Sequence, residues 1–137
     1  MKLDPSAFLA DPELIQALED QSTPIYCEGD RVLFRQGEKP LGLFVLDSGT
    51  AKLTMNSPSG EEVMSIDATA GSLLGLPGLI GDEPYSLTAI ARKDAELCFI
   101  SRDEFTNLMR TNPLLSLKVL QVLAAEVRSA RQAILGR

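Results

Sequence analysis

Residues Gly71–Ala91 read GSLLGLPGLIGDEPYSLTAIA. An apolar strand end, Leu73-Leu74, runs into Gly75. The short segment Leu76-Pro77-Gly78-Leu79-Ile80 follows, then the acidic turn Asp82-Glu83 and a strand opening at Tyr85-Ser86. A glycine-flanked turn from strand into helix aims backbone N–H groups at one spot, a ready cradle for an anion. Pro77 removes one of those donors. The side chains around the cradle are almost all leucine, so the segment reads as a ligand pocket without polar fittings. Its candidate lining is Leu74, Gly75, Leu76, Pro77, Gly78, Leu79, Tyr85, Ser86 and Leu87.

Outward from this segment, the stretch Thr23 to Ile100 is a series of short apolar or alternating runs. Gly29, Gly37, Gly49, Gly60 and Gly71 punctuate it at intervals of roughly 8 to 12 residues, the rhythm of an antiparallel barrel or jelly roll. The strand candidates are Thr23–Cys27, Val32–Arg35, Gly42–Asp47, Ala51–Asn56, Glu62–Asp67, Tyr85–Ala91 and Ala95–Ile100. Asp47-Ser48-Gly49 and Ser57-Pro58-Ser59-Gly60 carry the residues of hairpin turns. Ala51-Lys52-Leu53-Thr54-Met55 alternates as a half-exposed strand does.

Helix signals flank the strands. Asp11-Pro12-Glu13 offers an N-cap, a first-turn proline and a helpful acid before Leu14, Ile15 and Leu18 at helical spacing. Ser101 and Glu104 stand as a capping box, and the helix they open ends near Asn112-Pro113, where proline permits a fresh start. From Leu114 to Val127, 10 of 14 residues are apolar, too many for one helix face. Leu117, Leu120, Ala124, Val127 and Ile134 follow 3–4 spacing, while Leu115, Val119, Val122 and Leu123 populate a second side. One side is expected to cover the barrel and the other to form a parallel two-helix dimer seam, roughly 33 Å long over Leu114–Leu135.

The 137 residues suit one domain (residues 1–137), divided into a helical segment at 1–22, a jelly roll at 23–100 and helices at 101–137. A hydrophobic content of 45% is ordinary for a folded globule. The longest apolar candidate, Ser72 to Gly81, is broken by Gly75, Pro77 and Gly78, short of the ~18 residues of a membrane span. The start, Met-Lys-Leu-Asp-Pro, has no apolar signal core, so a cytoplasmic location is expected. Net charge is −6, and Arg128, Arg131 and Arg137 are scattered on the last helix, which argues against direct nucleic-acid binding.

The chain has two cysteines and no histidine. Cysteine–histidine zinc sites, histidine-ligated haem and serine–histidine catalysis are therefore out of reach. Cys98, within Glu96-Leu97-Cys98-Phe99-Ile100, reads as a small buried hydrophobe, and Glu28 and Asp30 disfavour a reactive thiolate at Cys27. Glu61-Glu62 and Asp82-Glu83 lie on turns, where solvated charge is the ordinary state. No catalytic constellation assembles, and no enzyme activity and no metal is expected.

Gly37-Glu38, Gly42-Leu43-Phe44-Val45-Leu46-Asp47-Ser48-Gly49, Gly71, Leu74-Gly75, Gly78-Leu79, Ser86, Ile100-Ser101-Arg102-Asp103-Glu104-Phe105 and Asn112-Pro113 follow in a set order. In that order the chain resembles the cyclic nucleotide-binding domain, specifically the sensory half of catabolite-activator-type bacterial regulators, from about Leu14 to Leu135. The resemblance implies a mainly β fold, an antiparallel jelly roll with flanking α-helices and a long C-terminal dimerisation helix. It also implies a glutamate after the strand-ending glycine to hold the ribose 2′-hydroxyl, and an arginine before a small residue to neutralise the cyclic phosphate. Those positions are Leu76 and Tyr85 here; Ser86 keeps the small residue and Leu87 replaces the usual alanine. Losing both contacts costs on the order of 3–6 kcal/mol, roughly a hundredfold to ten-thousandfold in affinity. Cyclic nucleotide is thus the cofactor the resemblance offers and these residues disfavour. Arg92 and Lys93, in an expected hairpin turn, are poor substitutes.

The regulators of this type continue into a helix-turn-helix domain, whereas this sequence stops at Gly136-Arg137, so no DNA-binding domain is expected within it. Two functions remain. One is a dimeric sensory module whose leucine-lined pocket takes an apolar or weakly polar ligand. The other is a ligand-free scaffold for dimerisation or protein interaction, with the same leucines simply filling the barrel.

Overall fold

The computed structural model describes residues 3–136; Met1, Lys2 and Arg137, and the readings that fall on them, lie outside the described residues. A short 3-10 turn, Pro5–Phe8, leads into α1, Pro12–Glu19. The Asp11 carboxylate caps α1 by accepting from the Glu13 N–H at 2.8 Å, and Leu14 and Leu18 turn inward. Eight strands follow: β1 Thr23–Tyr26, β2 Arg31–Phe34, β3 Gly42–Ser48, β4 Ala51–Asn56, β5 Glu62–Ala68, β6 Leu73–Leu74, β7 Thr88–Ala91 and β8 Glu96–Ser101. Between β6 and β7 lies α2, Leu76–Gly81; after β8 come α3, Arg102–Thr111, and α4, Pro113–Leu135.

The strands form two four-stranded sheets, β1-β8-β3-β6 and β2-β7-β4-β5, with antiparallel pairing throughout both. This is the jelly roll with flanking helices and long C-terminal helix. One apolar cluster fills the space between the sheets, with Phe34, Leu46, Leu53, Leu74, Tyr85 and Leu97 among its members. A second lies outside the first sheet: Leu43, Val45, Cys98 and Ile100 pack against Leu14 and Leu18 of α1, Phe105 of α3, and Leu115, Val119 and Val122 of α4. β3 is therefore buried on both faces, which is why Leu43-Phe44-Val45-Leu46 is apolar without alternation.

The helical junctions follow the capping chemistry. Ser101 Oγ accepts from the Glu104 N–H and donates to its carboxylate, both at 3.2 Å. Asn112 Oδ1 accepts from the Leu115 N–H at 3.3 Å, and Pro113 opens α4. Lys118 reaches Asp11 at 3.1 Å and so ties α4 to the start of α1. Among the described residues, no helix is long and apolar enough to cross a membrane.

Three local readings are corrected. Ser57–Gly60 joins the paired strands β4 and β5, but Asp47-Ser48-Gly49 is not a hairpin: it carries the chain from β3 in one sheet to β4 in the other. Gly49 is required there, with φ +81° and a would-be Cβ only 2.8 Å from the Ala95 Cα. The turn at Arg92-Lys93 likewise crosses between sheets, from β7 to β8, and Arg92 is held by Asp30 at 3.3 Å. Finally, the strand expected at Tyr85 starts only at Thr88. Tyr85 is bonded instead to the loop before β3: the Gly37 N–H donates to its carbonyl at 2.8 Å, and its own N–H donates to the Glu38 carbonyl at 2.9 Å.

Candidate functional site

The Gly71–Ala91 segment passes from β6 in one sheet through α2 to β7 in the other. β6 ends at Leu74, and Gly75 turns the chain with φ +95° into α2, whose second residue is Pro77. At the far end of α2 the Asp82 carboxylate accepts from the Arg102 guanidinium at 2.8 Å, and the same guanidinium donates to the Pro40 carbonyl at 3.1 Å. α2 is thereby clamped to the start of α3.

Tyr85 occupies the middle of the site. Its ring stacks on Phe34 with centroids 3.9 Å apart and an 18° angle between planes. Its hydroxyl donates to the Gly42 carbonyl at 2.9 Å. A Cβ on Gly75 would stand 2.8 Å from the Tyr85 ring, so the glycine turn and the ring are fitted to each other. Only 5% of the residue is exposed, and burial raises the phenol above its ordinary pKa.

The candidate lining residues divide. Leu74, Gly75, Pro77, Gly78, Tyr85, Ser86 and Leu87 surround one small cavity together with Phe8, Phe34, Leu53 and Glu126. Leu76 and Leu79 do not line it; both belong to the outer cluster with Leu43 and Leu73, and Leu76 is fully buried there. The cavity measures about 20 Å³. That is room for about one water molecule, against the ~300 Å³ at which small-molecule pockets begin.

Glu126 is the functional candidate that pattern reading passed over. It is the sole acid of α4, on the turn of that helix that faces the cavity, and its Oε2 atom is buried with no hydrogen-bond partner among the described residues. Burial alone pushes its carboxyl up to about 8. A single acid in a 23-residue, largely apolar helix was the available signal. Glu126, Pro77, Ser86 and Leu87 also border a more open space of about 210 Å³ between α4 and the N-terminal turn, lined by Ala7, Phe8, Met55 and Ser129 among others, still short of the ~300 Å³ of a small-molecule pocket. The Ser129 hydroxyl there accepts from the Asp4 N–H at 2.8 Å.

On α4, Leu115, Val119 and Val122 are buried against the first sheet, while Leu117, Leu120, Ala124, Val127 and Ile134 are all exposed. The second set is an apolar stripe on the helix face turned away from the barrel. Cys98 is buried in the outer cluster, and burial raises its thiol pKa; Cys27 is buried between the sheets.

A two-sheet jelly roll, a glycine-turned short helix between β6 and β7, and a long terminal helix together define a mainly β architecture with flanking helices. The sequence matches the family model of the cyclic nucleotide-binding domain over residues 24–112, and the chain belongs to that family. It is 29% identical over 122 residues to a cyclic AMP receptor protein of Thermus thermophilus, covering 89% of this chain and 56% of that protein. It is 30% identical over 105 residues to an anaerobic regulatory protein of Haemophilus influenzae, covering 77% of this chain and 40% of that one. The chain thus spans about half the length of the curated relatives it matches. The crystal structure of the Thermus thermophilus catabolite activator protein superposes with a TM-score of 0.78 at 23% identity, covering 96% of this chain and 62% of that one, which shows the common fold.

Proposed function

We propose that this chain is a regulatory module of the cyclic nucleotide-binding family in which the nucleotide site is closed. The observation that carries this reading is Tyr85: stacked on Phe34 and set against Gly75, it leaves about 20 Å³ beside Gly75, and the adjoining space at Pro77, Ser86 and Leu87 is about 210 Å³. By the family resemblance, Tyr85 stands where an arginine would neutralise the cyclic phosphate, and Leu76 where a glutamate would hold the ribose. A phenol bonded to a carbonyl offers no positive charge to a phosphate, and a leucine in the outer cluster offers no acceptor to a sugar.

The module acts as a homodimer through the stripe Leu117, Leu120, Ala124, Val127 and Ile134. Each of these side chains is exposed on one protomer, and 3–4 spacing suits a parallel helix pair. It performs no catalysis and makes no direct contact with nucleic acid in this segment; its net charge of −6, with Arg128 and Arg131 dispersed on α4, supports that. It works in the cytoplasm. The relative named a cyclic AMP receptor makes cyclic AMP the first ligand to test. Neither cyclic AMP nor cyclic GMP should show saturable binding by calorimetry at about 100 µM, given the affinity lost with the two contacts. A dissociation constant in the low micromolar range overturns the closed-site reading.

The small size of the cavity also favours a second reading, a ligand-free scaffold whose work is dimerisation or docking to another protein. Native mass spectrometry separates the two: a constant extra mass on the purified dimer marks a sensor, and a dimer of bare chain mass marks a scaffold.

A further inference from the structure

The two sheets do not close along the edge formed by β1 and β2. Among the described residues β1 bonds only to β8 and β2 only to β7, so both are edge strands, and a cleft of about 640 Å³ opens between them. That volume lies within the ~300–1,000 Å³ typical of small-molecule sites. We propose that this cleft binds a small aromatic carboxylate.

The cleft holds Phe34, Phe44, Tyr85 and Phe99, four of the seven aromatic side chains in the chain. They form one continuous wall, with centroids 3.9 Å apart for Phe34–Tyr85, 6.0 Å for Phe34–Phe44 and 5.0 Å for Phe44–Phe99. A flat apolar body gains from offset or edge-to-face contact with such a wall. Ile25, Leu33 and Leu41 complete the apolar lining, and Leu41 is exposed. The Tyr85 hydroxyl is already committed to Gly42, so the wall itself gives a sugar or other polar body little to bond.

Charge sits at the rim. Arg31 and Lys39 line the cleft, and among the described residues neither joins an ion pair. Glu38 is the one acid of the lining, and its Oε1 accepts from the Arg35 N–H at 2.7 Å. On a protein of net charge −6, this local excess of cations selects an anionic group, and the arginine fork suits a carboxylate. The cleft is separate from the cradle beside Gly75, because the stacked Tyr85–Phe34 pair borders both spaces and divides them. The inference therefore holds whether or not the cradle binds a nucleotide.

The test is calorimetric titration of the full chain with naphthalene-2-carboxylate, its neutral carboxamide and the cationic 2-naphthylmethylamine. The carboxylate should bind saturably at one site per chain and roughly tenfold more tightly than the carboxamide, the scale of exposed charge contacts. Arg31→Ala with Lys39→Ala, both at the rim, should bring the carboxylate down to the level of the carboxamide. Thr23→Trp, at an exposed position on β1 that lines the cleft, should abolish binding of both with an unchanged circular dichroism spectrum. The proposal is overturned by no saturable binding below about 1 mM, by a preference for the cation, or by unchanged affinity in the arginine–lysine double variant.

Discussion

The buried carboxyl of Glu126 makes stability depend on pH in a way one substitution removes. Burial pushes its carboxyl from the ordinary 4.5 up to about 8, with no compensating partner among the described residues. The folded state therefore holds this proton more tightly than the unfolded chain. Its contribution is fully present below about pH 4.5 and is lost as the pH rises through about 8. Between the two values each unit of pH costs about 1.4 kcal/mol, so at about pH 7.5 the accumulated loss approaches 4 kcal/mol. Glu126→Gln keeps the shape and stays neutral. Expected is a gain of about 3–4 kcal/mol near pH 7.5, or roughly 10 °C in Tm, that shrinks to nothing near pH 4. Urea unfolding of both proteins from about pH 4 to 8, at one fixed protein concentration because association adds to apparent stability, gives the two profiles. Parallel profiles refute the reasoning: the carboxyl would then be hydrated, or paired with a cation, in solution.

Asp47 should add to the same trend, since burial and the neighbouring Glu19 raise its carboxyl to about 7; Asp47→Asn should flatten the wild-type profile between about pH 4 and 7, read in the same urea series. Tyr85→Phe removes the bond to the Gly42 carbonyl and should cost about 1–3 kcal/mol of unfolding free energy, without creating affinity for cyclic AMP. Gly75→Ala forces a left-handed backbone on alanine and drives its Cβ into the Tyr85 ring, so a loss of about 1–3 kcal/mol is expected by the same method. Leu117→Glu with Leu120→Glu should convert a dimer to monomer in sedimentation velocity, while the fold of each protomer changes by no more than about 0.5 kcal/mol, because both side chains are exposed on it.

Much of the architecture was legible because it rests on local chemistry. Asp11, Ser101 and Asn112 are caps whose side chains reach the next turn, and Pro12 and Pro113 sit where a helix start tolerates them. Glycine spacing marked the strand ends, and two-sided burial explains the unbroken apolar run of β3. The misread turns have a different origin. Whether Asp47-Ser48-Gly49 pairs its flanking strands or passes between sheets depends on Ala95, 46 residues along the chain, whose backbone comes so close that only glycine fits. The polar turn residues suit either role, so composition alone does not separate a hairpin from a crossing.

Leu76 and Tyr85 show the same limit at the candidate site, and they show it asymmetrically. The family resemblance implies a polar group at both positions, and under the proposed reading the two residues do different physical work. Leu76 is directed into the outer cluster against the helices, where it adds to the attachment of α2 and nothing to the cavity. A glutamate placed there in this chain would enter a fully buried apolar setting, so restoring the residue type does not restore the contact. Tyr85 is directed inward, and its size matters more than its missing charge. A ring stacked on Phe34 lines the small cavity beside Gly75 and also completes the aromatic wall of the cleft between β1 and β2. One residue thus bounds both spaces. The partition follows from packing between residues 51 positions apart, Phe34 and Tyr85, which no local pattern in Gly71–Ala91 encodes.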